Sequence, residues 1–128
     1  AGLFRSAQWE SALLCPMIDA RRMEVYAEVF DTSLESRSEV AAEVVTSGSF
    51  GRFIRPEGEF FVFGSGAAKT VGVLPAEGVR FIDVRPSARG LCRLAQARRD
   101  AGLVEDTAYF EPAYLKDFVV TAGRKKLF

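Results

Sequence analysis

The tract from Cys15 to Asp31, CPMIDARRMEVYAEVFD, constrains the fold more than any other part of the chain. An apolar run ends in Asp19, a short charged segment follows, and then Met23, Val25, Ala27 and Val29 alternate with Glu24, Tyr26, Glu28 and Phe30. Alternation with period two marks a strand, and two such runs around a tight polar turn predict a β-hairpin. The bend then displays Asp19, Arg21 and Arg22 at the mouth of a sheet.

The rest of the chain supplies partners for that hairpin. A third extended stretch is expected over 38–45, where Val40, Ala42 and Val44 share a face, although its alanines and glutamates also suit a helix. Ser47-Gly48-Ser49 reads as a turn before a short helical piece at 50–54, which Arg55-Pro56-Glu57-Gly58 ends. Phe60-Phe61-Val62-Phe63 is a short apolar run between glycines, the pattern of a strand buried on both faces. It leads into Gly64-Ser65-Gly66 and a helix expected from Ala67 to about Leu74. Another strand is expected over 79–84. Pro86-Ser87 then opens the clearest helix, roughly 87–101, with Ala88, Leu91, Cys92, Leu94 and Ala95 on its apolar side and Gly102 at its stop. Aromatics around Pro112 read as an irregular segment docked on the core: Tyr109, Phe110, Tyr114 and Phe118.

Composition narrows the chemistry. At 128 residues the chain suits one domain with one core. Its 17 basic and 17 acidic residues cancel, so no bulk attraction to polyanions is expected, while a local basic patch stays open. It has no histidine, which removes His-dependent triads and the commonest zinc ligand sets. Cys15 and Cys92, each among apolar neighbours, read as structural thiols rather than a disulfide or metal pair. No apolar run approaches the roughly 18 residues that span a bilayer, and the first residues have no signal-peptide layout, so a cytoplasmic location is expected. Residues 1–12, with Phe4 and Trp9, read as the end of a preceding segment.

The hairpin segment Met17-Ile18-Asp19-Ala20-Arg21-Arg22-Met23-Glu24-Val25-Tyr26 resembles the opening of the second domain in the TsaB (YeaZ) family. These are glycoprotease-like bacterial proteins of the actin, Hsp70 and sugar-kinase superfamily, in which an Asp-Ala-Arg turn leads into Glu-Val-Tyr. Phe63-Gly64-Ser65-Gly66-Ala67-Ala68-Lys69 looks like the family's Gly-Asp-Gly-Ala turn, with Ser65 replacing the acid. Pro86-Ser87-Ala88 opens the last long helix as the family does. Pro112-Ala113-Tyr114-Leu115-Lys116 is similar to its closing Pro-x-Tyr-Leu-Arg segment, with lysine for arginine, and the continuation Asp117-Phe118-Val119 looks like the Bacteroidetes branch.

The resemblance runs from about Leu13 to the end. It implies an α/β fold, an RNase H-like half-domain whose mixed sheet has three antiparallel strands followed by parallel strands with flanking helices. Residues 1–12 would be a remnant of an interdomain segment, 13–118 the C-terminal domain and 119–128 a basic tail.

In that superfamily the hairpin bend touches nucleotide phosphate, and a glycine-rich strand-to-helix turn lies against adenosine. Asp19, Arg21, Arg22, Gly64 and Gly66 are therefore the candidate nucleotide-contacting residues. The bend itself carries Ala20 to Met23 in place of the glycines that let backbone N–H groups approach a phosphate, so an ion-paired hairpin tip is the competing expectation. Gly64 to Thr70 fails the Walker pattern at Phe63 and Ala68, and fails the dinucleotide pattern at Lys69. Arg89 and Arg93, four apart on the long helix, and Lys125 and Lys126 in the tail are candidate tRNA contacts, with a solvated polar face as the alternative.

The resemblance implies a non-catalytic subunit with no cofactor of its own. It would activate a TsaD-like catalytic subunit, alongside a TsaE-like ATPase, in making threonylcarbamoyladenosine on tRNA. The family's main interface, for homodimer and for TsaD alike, lies on the first domain, which this chain would lack. The alternative is half of a nucleotide- or metal-binding enzyme, a glycoprotease or sugar-kinase relative whose site needs that first domain.

Overall fold

The computed structural model describes residues 10–115 and shows a mixed α/β arrangement of six strands and one α-helix. Strands β1 (Leu13–Asp19), β2 (Glu24–Ala27), β3 (Phe30–Asp31), β4 (Ala41–Val44), β5 (Phe60–Phe63) and β6 (Val79–Ile82) form one sheet ordered β4-β2-β1-β5-β6. The short β3 pairs with the start of β1. β2 runs antiparallel to both β1 and β4, while β5 is parallel to β1 and to β6. The sheet therefore changes from antiparallel to parallel across β1.

Register explains which residues the sheet buries. Pairing Met17 with Ala27, Cys15 with Val62 and Phe60 with Val79 places these six side chains on one face, the inner one. Cys15, Met17, Val25, Ala27, Phe60, Val62 and Val79 are all buried there. The cover comes from the loop after β4, through Phe50, Phe53 and Ile54, and from Ala67, Val73 and Leu74. The Phe50 and Phe60 rings stand 5.8 Å apart and tilted, an arrangement that favours aromatic pairs.

The outer face is uneven. Phe61 is buried on it, but Ile18 is 64% exposed and Val44 61%. Residues at i and i+2 in β2 and β4 point the same way, so Tyr26, Ala42 and Val44 line this open half with Ile18.

Several expectations are corrected. Met23 belongs to the bend rather than the strand and is exposed. The segment 50–54 is a run of turns, closed by Phe53 and Ile54 N–H groups donating to the Phe50 carbonyl, and Phe50 itself holds a positive φ of 60°. The helix expected from Ala67 to Leu74 is a single 3₁₀ turn, Ala67–Thr70. It stops because Val71 is extended and Gly72 adopts φ 78°.

The long helix α1 spans Ala88–Asp100, with Ser87 Oγ accepting the Arg89 N–H as its N-cap and Gly102 at φ 71° past its end. No residue of α1 is buried, so Cys92 is exposed rather than packed among apolar neighbours. Tyr109, Phe110 and Tyr114 are likewise exposed and form no part of the core. Phe4, Trp9, Lys116, Asp117 and Phe118 lie outside the described residues. Among those described, no helix is long and apolar enough to cross a membrane.

Candidate functional site at the hairpin bend

The bend closes with the Ala20 N–H donating to the Glu24 carbonyl at 3.1 Å and the Glu24 N–H to the Arg21 carbonyl at 3.0 Å. Turning in so few residues forces Arg21 to φ 72° and Arg22 to φ 45°, a region that favours glycine. Asp19 compensates at the mouth of the turn: its Oδ1 accepts the Arg21 N–H at 2.7 Å.

The same oxygen accepts Lys69 Nζ at 2.6 Å. Lys69 reaches it from the 3₁₀ turn after β5 and also donates to the Glu24 carbonyl at 3.0 Å. The Asp19 N–H donates to Ser65 Oγ at 3.2 Å. Bend and strand-to-helix turn are thus joined by three hydrogen bonds. The Lys69 hydrogen bond, then the Arg21 N–H, holds the Asp19 carboxyl below the usual carboxylate range.

Gly64 and Gly66 serve the same junction. Gly64 has φ 98°, and a Cβ there would run into the Met17 carbonyl oxygen. A Cβ on Gly66 would stand 2.9 Å from Val25 Cγ1 and 3.0 Å from the Ile18 carbonyl. Both glycines are explained by close approach of the turn to β1. The 3₁₀ turn that follows has four residues and no side-chain cap, so it offers no helix N-terminus of useful length.

The structure therefore brings Asp19, Gly64 and Gly66 together and leaves Arg21 and Arg22 exposed at the tip. Arg89 and Arg93 lie on the wholly exposed α1, and Lys125 and Lys126 fall outside the described residues. Sequence reasoning missed this role of Lys69, which it met only in motif comparisons: a phosphate loop lacking its glycines, a dinucleotide pattern that needs glycine there, and the family's turn after a strand. The available signal was position: a residue one turn beyond β5 faces the carboxyl end of β1, where Asp19 stands.

A second feature, also missed, is a cleft of about 830 Å³ at the opposite end of the parallel strands, among residues that open β1 and β5. Arg37, Arg52, Arg55, Glu57 and Glu59 reach it. Arg37 Nε donates to Asp31 Oδ2 at 3.1 Å, Arg52 stacks 4.6 Å from the centre of the Phe53 ring, and Glu59 pairs with Arg80 at 3.4 Å. Hydrogen bonds from the Glu35, Arg37 and Ser33 groups keep Asp31 ionised below its ordinary range, that from the Glu35 N–H being the largest. These near-balanced charges brace the loops around the cleft.

Burial pushes the Cys15 thiol up to about 12, which removes it as a nucleophile near neutral pH. No group of three or more His, Cys, Asp or Glu side chains among the described residues is placed to hold a metal ion. Compared with protein-family models and with curated proteins, the chain matches none of them.

Proposed function

We propose that this chain is a non-catalytic interaction domain, the C-terminal, RNase H-like half of a TsaB-type protein that supports a TsaD-like catalytic subunit in tRNA threonylcarbamoyladenosine synthesis. A TsaE-like ATPase would join the assembly in the cytoplasm. Support for the fold comes from the strand order β4-β2-β1-β5-β6, with its antiparallel half built on the hairpin and its parallel half after it. Support for the family comes from the four sequence segments quoted above, in their order.

One observation carries the non-catalytic reading: Asp19, the acid that opens the bend, is committed to Lys69 at 2.6 Å and to the Arg21 N–H. Both bonds fall on Oδ1 and hold the carboxyl below its usual range, and the turn opposite it is filled by β1 backbone. The outer sheet face, by contrast, leaves Ile18, Val40 and Val44 open to a protein surface.

The test is a pull-down of the TsaD-like subunit from the same genome with this chain and with the chain joined to its first domain, read beside calorimetry with ATP and magnesium. Capture by the joined protein without measurable ATP binding is expected. Tight ATP binding abolished by Asp19→Ala would overturn the proposal in favour of the enzyme half.

A further inference from the structure

The outer face of the sheet carries a groove of about 530 Å³ between Pro16, Ile18, Tyr26 and Val40, walled along one side by Ala113 to Leu115. Ile18 is 64% exposed, and Val40 and Leu115 are each 47% exposed. Apolar side chains grouped in this way mark a surface that something covers.

The wall shows where an occupant starts. Leu115 already lines the groove, and the chain continues through Lys116 and Asp117 into Phe118-Val119-Val120-Thr121. Phenylalanine, valine and threonine favour extended backbone, in which alternate side chains point to opposite sides. Phe118 and Val120 then share one side. Phe118 follows Leu115 by three positions, a span of at most about 11 Å.

Tether length separates this occupant from its rivals. Residues 116–117 alone lie between the wall and Phe118, whereas the whole of 101–112 lies between the wall and the end of α1. Closing the longer tether costs more entropy, and a second copy or another protein also gives up translational and rotational freedom on association. An extended segment occupies roughly 5 Å beside its neighbours, against roughly 10 Å for a helix.

We propose that the outer groove is the seat of the chain's own C-terminal segment, with Phe118 and Val120 against Ile18, Tyr26 and Val40. Ordering these few residues offsets most of what their burial contributes, so the seat opens well before the sheet unfolds. A partner drawn to the outer face competes with the segment for it. The inference uses only this face and the residues after Leu115, so it stands apart from the tRNA reading.

The test uses the full 128-residue chain carrying Cys92→Ser, since the buried Cys15 escapes thiol reagents. With Ile18→Cys added, modification of the new thiol is timed with and without Phe118→Asp and Val120→Asp. Modification about tenfold faster in the aspartate variant is expected, with protection unchanged on dilution from about 200 to about 5 µM. In a second sample Ile18 is kept and a spin label is placed at Thr121→Cys. When such ¹⁵N-labelled molecules are diluted into unlabelled chains without the spin label, broadening of the Ile18, Tyr26 and Val40 amides is expected. Absence of that broadening, or equal modification rates with and without the aspartates, would each overturn the proposal. Protection that falls on dilution would assign the groove to a second copy, and protection abolished by Leu91→Asp with Leu94→Asp but untouched by the aspartates would assign it to α1. Either result overturns it as well.

Discussion

Lys69 Nζ sits 2.6 Å from Asp19 Oδ1 and 3.0 Å from the Glu24 carbonyl, fastening the turn after β5 to the bend between β1 and β2. With 17% of its side chain exposed, Lys69 is the more sheltered partner; Asp19 is about half exposed. The pair therefore sets local geometry more than global stability.

Its pH signature follows from sign. The folded Asp19 titrates below its unfolded value of about 3.9, so whatever it contributes is fully present above that value. The contribution is lost as pH falls through the lower, folded pKa. Carboxyl NMR titration of Lys69→Met is expected to show Asp19 moved up towards the usual range, with the acid limb of unfolding less steep than in the parent. An unmoved Asp19 would mean that the Arg21 N–H alone holds it.

Gly64 and Gly72 separate strain from crowding. Both have positive φ, 98° and 78°, but a Cβ on Gly64 meets the Met17 carbonyl while one on Gly72 meets nothing within 4 Å. Gly72→Ala should cost about 1–2 kcal/mol, the ordinary left-handed penalty. Gly64→Ala should cost about 3–4 kcal/mol or prevent folding, since β1 backbone must also move. Urea midpoints with unchanged slopes would measure the difference.

The sheet's two faces should respond unequally. Phe60 is 1% exposed against Phe50, so Phe60→Ala is expected to cost about 3–5 kcal/mol. Ile18 is 64% exposed, so Ile18→Ala should stay within about 0.5 kcal/mol in the monomer. A larger loss from Ile18→Ala at high protein concentration than at low would locate a partner on the outer face.

The two cysteines give an independent reading of packing. Cys92 is exposed on α1 and should react with a thiol reagent at the rate of a free thiol. Cys15 is fully buried between β2 and β5 strands with its pKa pushed up to about 12, so it should react only on unfolding. Fast modification of both would show that the inner core opens readily.

What could be read from sequence follows from where the signal is local. The alternation at Val25, Ala27 and Val29 and the run Phe60 to Phe63 are properties of neighbouring residues, and all three inner-face positions and the buried strand appear as expected. Ser87 and Gly102 mark the ends of α1 for the same reason, since capping involves residues two to four apart. The 3₁₀ turn was hidden because Thr70 donates its hydroxyl back to the Ala67 carbonyl at 2.7 Å and Gly72 takes a left-handed φ, which composition does not display. The Asp19–Lys69 pair spans 50 residues and required the parallel register of β1 and β5 before it became visible. Solvent exposure of α1 was beyond pattern reading, because an apolar stripe is the same whether or not its partner is in the chain.

The bend itself supplies the last prediction. Arg21 and Arg22 hold φ 72° and 45° with their side chains in solvent, so neither residue type is there for packing. Replacing both with glycine removes about 1–2 kcal/mol of backbone strain per site and returns part of that as entropy of the unfolded chain. The Arg21 N–H that donates to Asp19 at 2.7 Å is retained, because it belongs to the backbone. The double variant Arg21→Gly with Arg22→Gly should therefore be more stable than the parent by about 0.5–1.5 kcal/mol in urea unfolding. If the same variant also loses retention on immobilised tRNA in low salt, the strained arginines are kept for an anionic partner. If it gains stability and loses nothing, the bend is an ion-paired tip whose function is to hold Asp19 against Lys69.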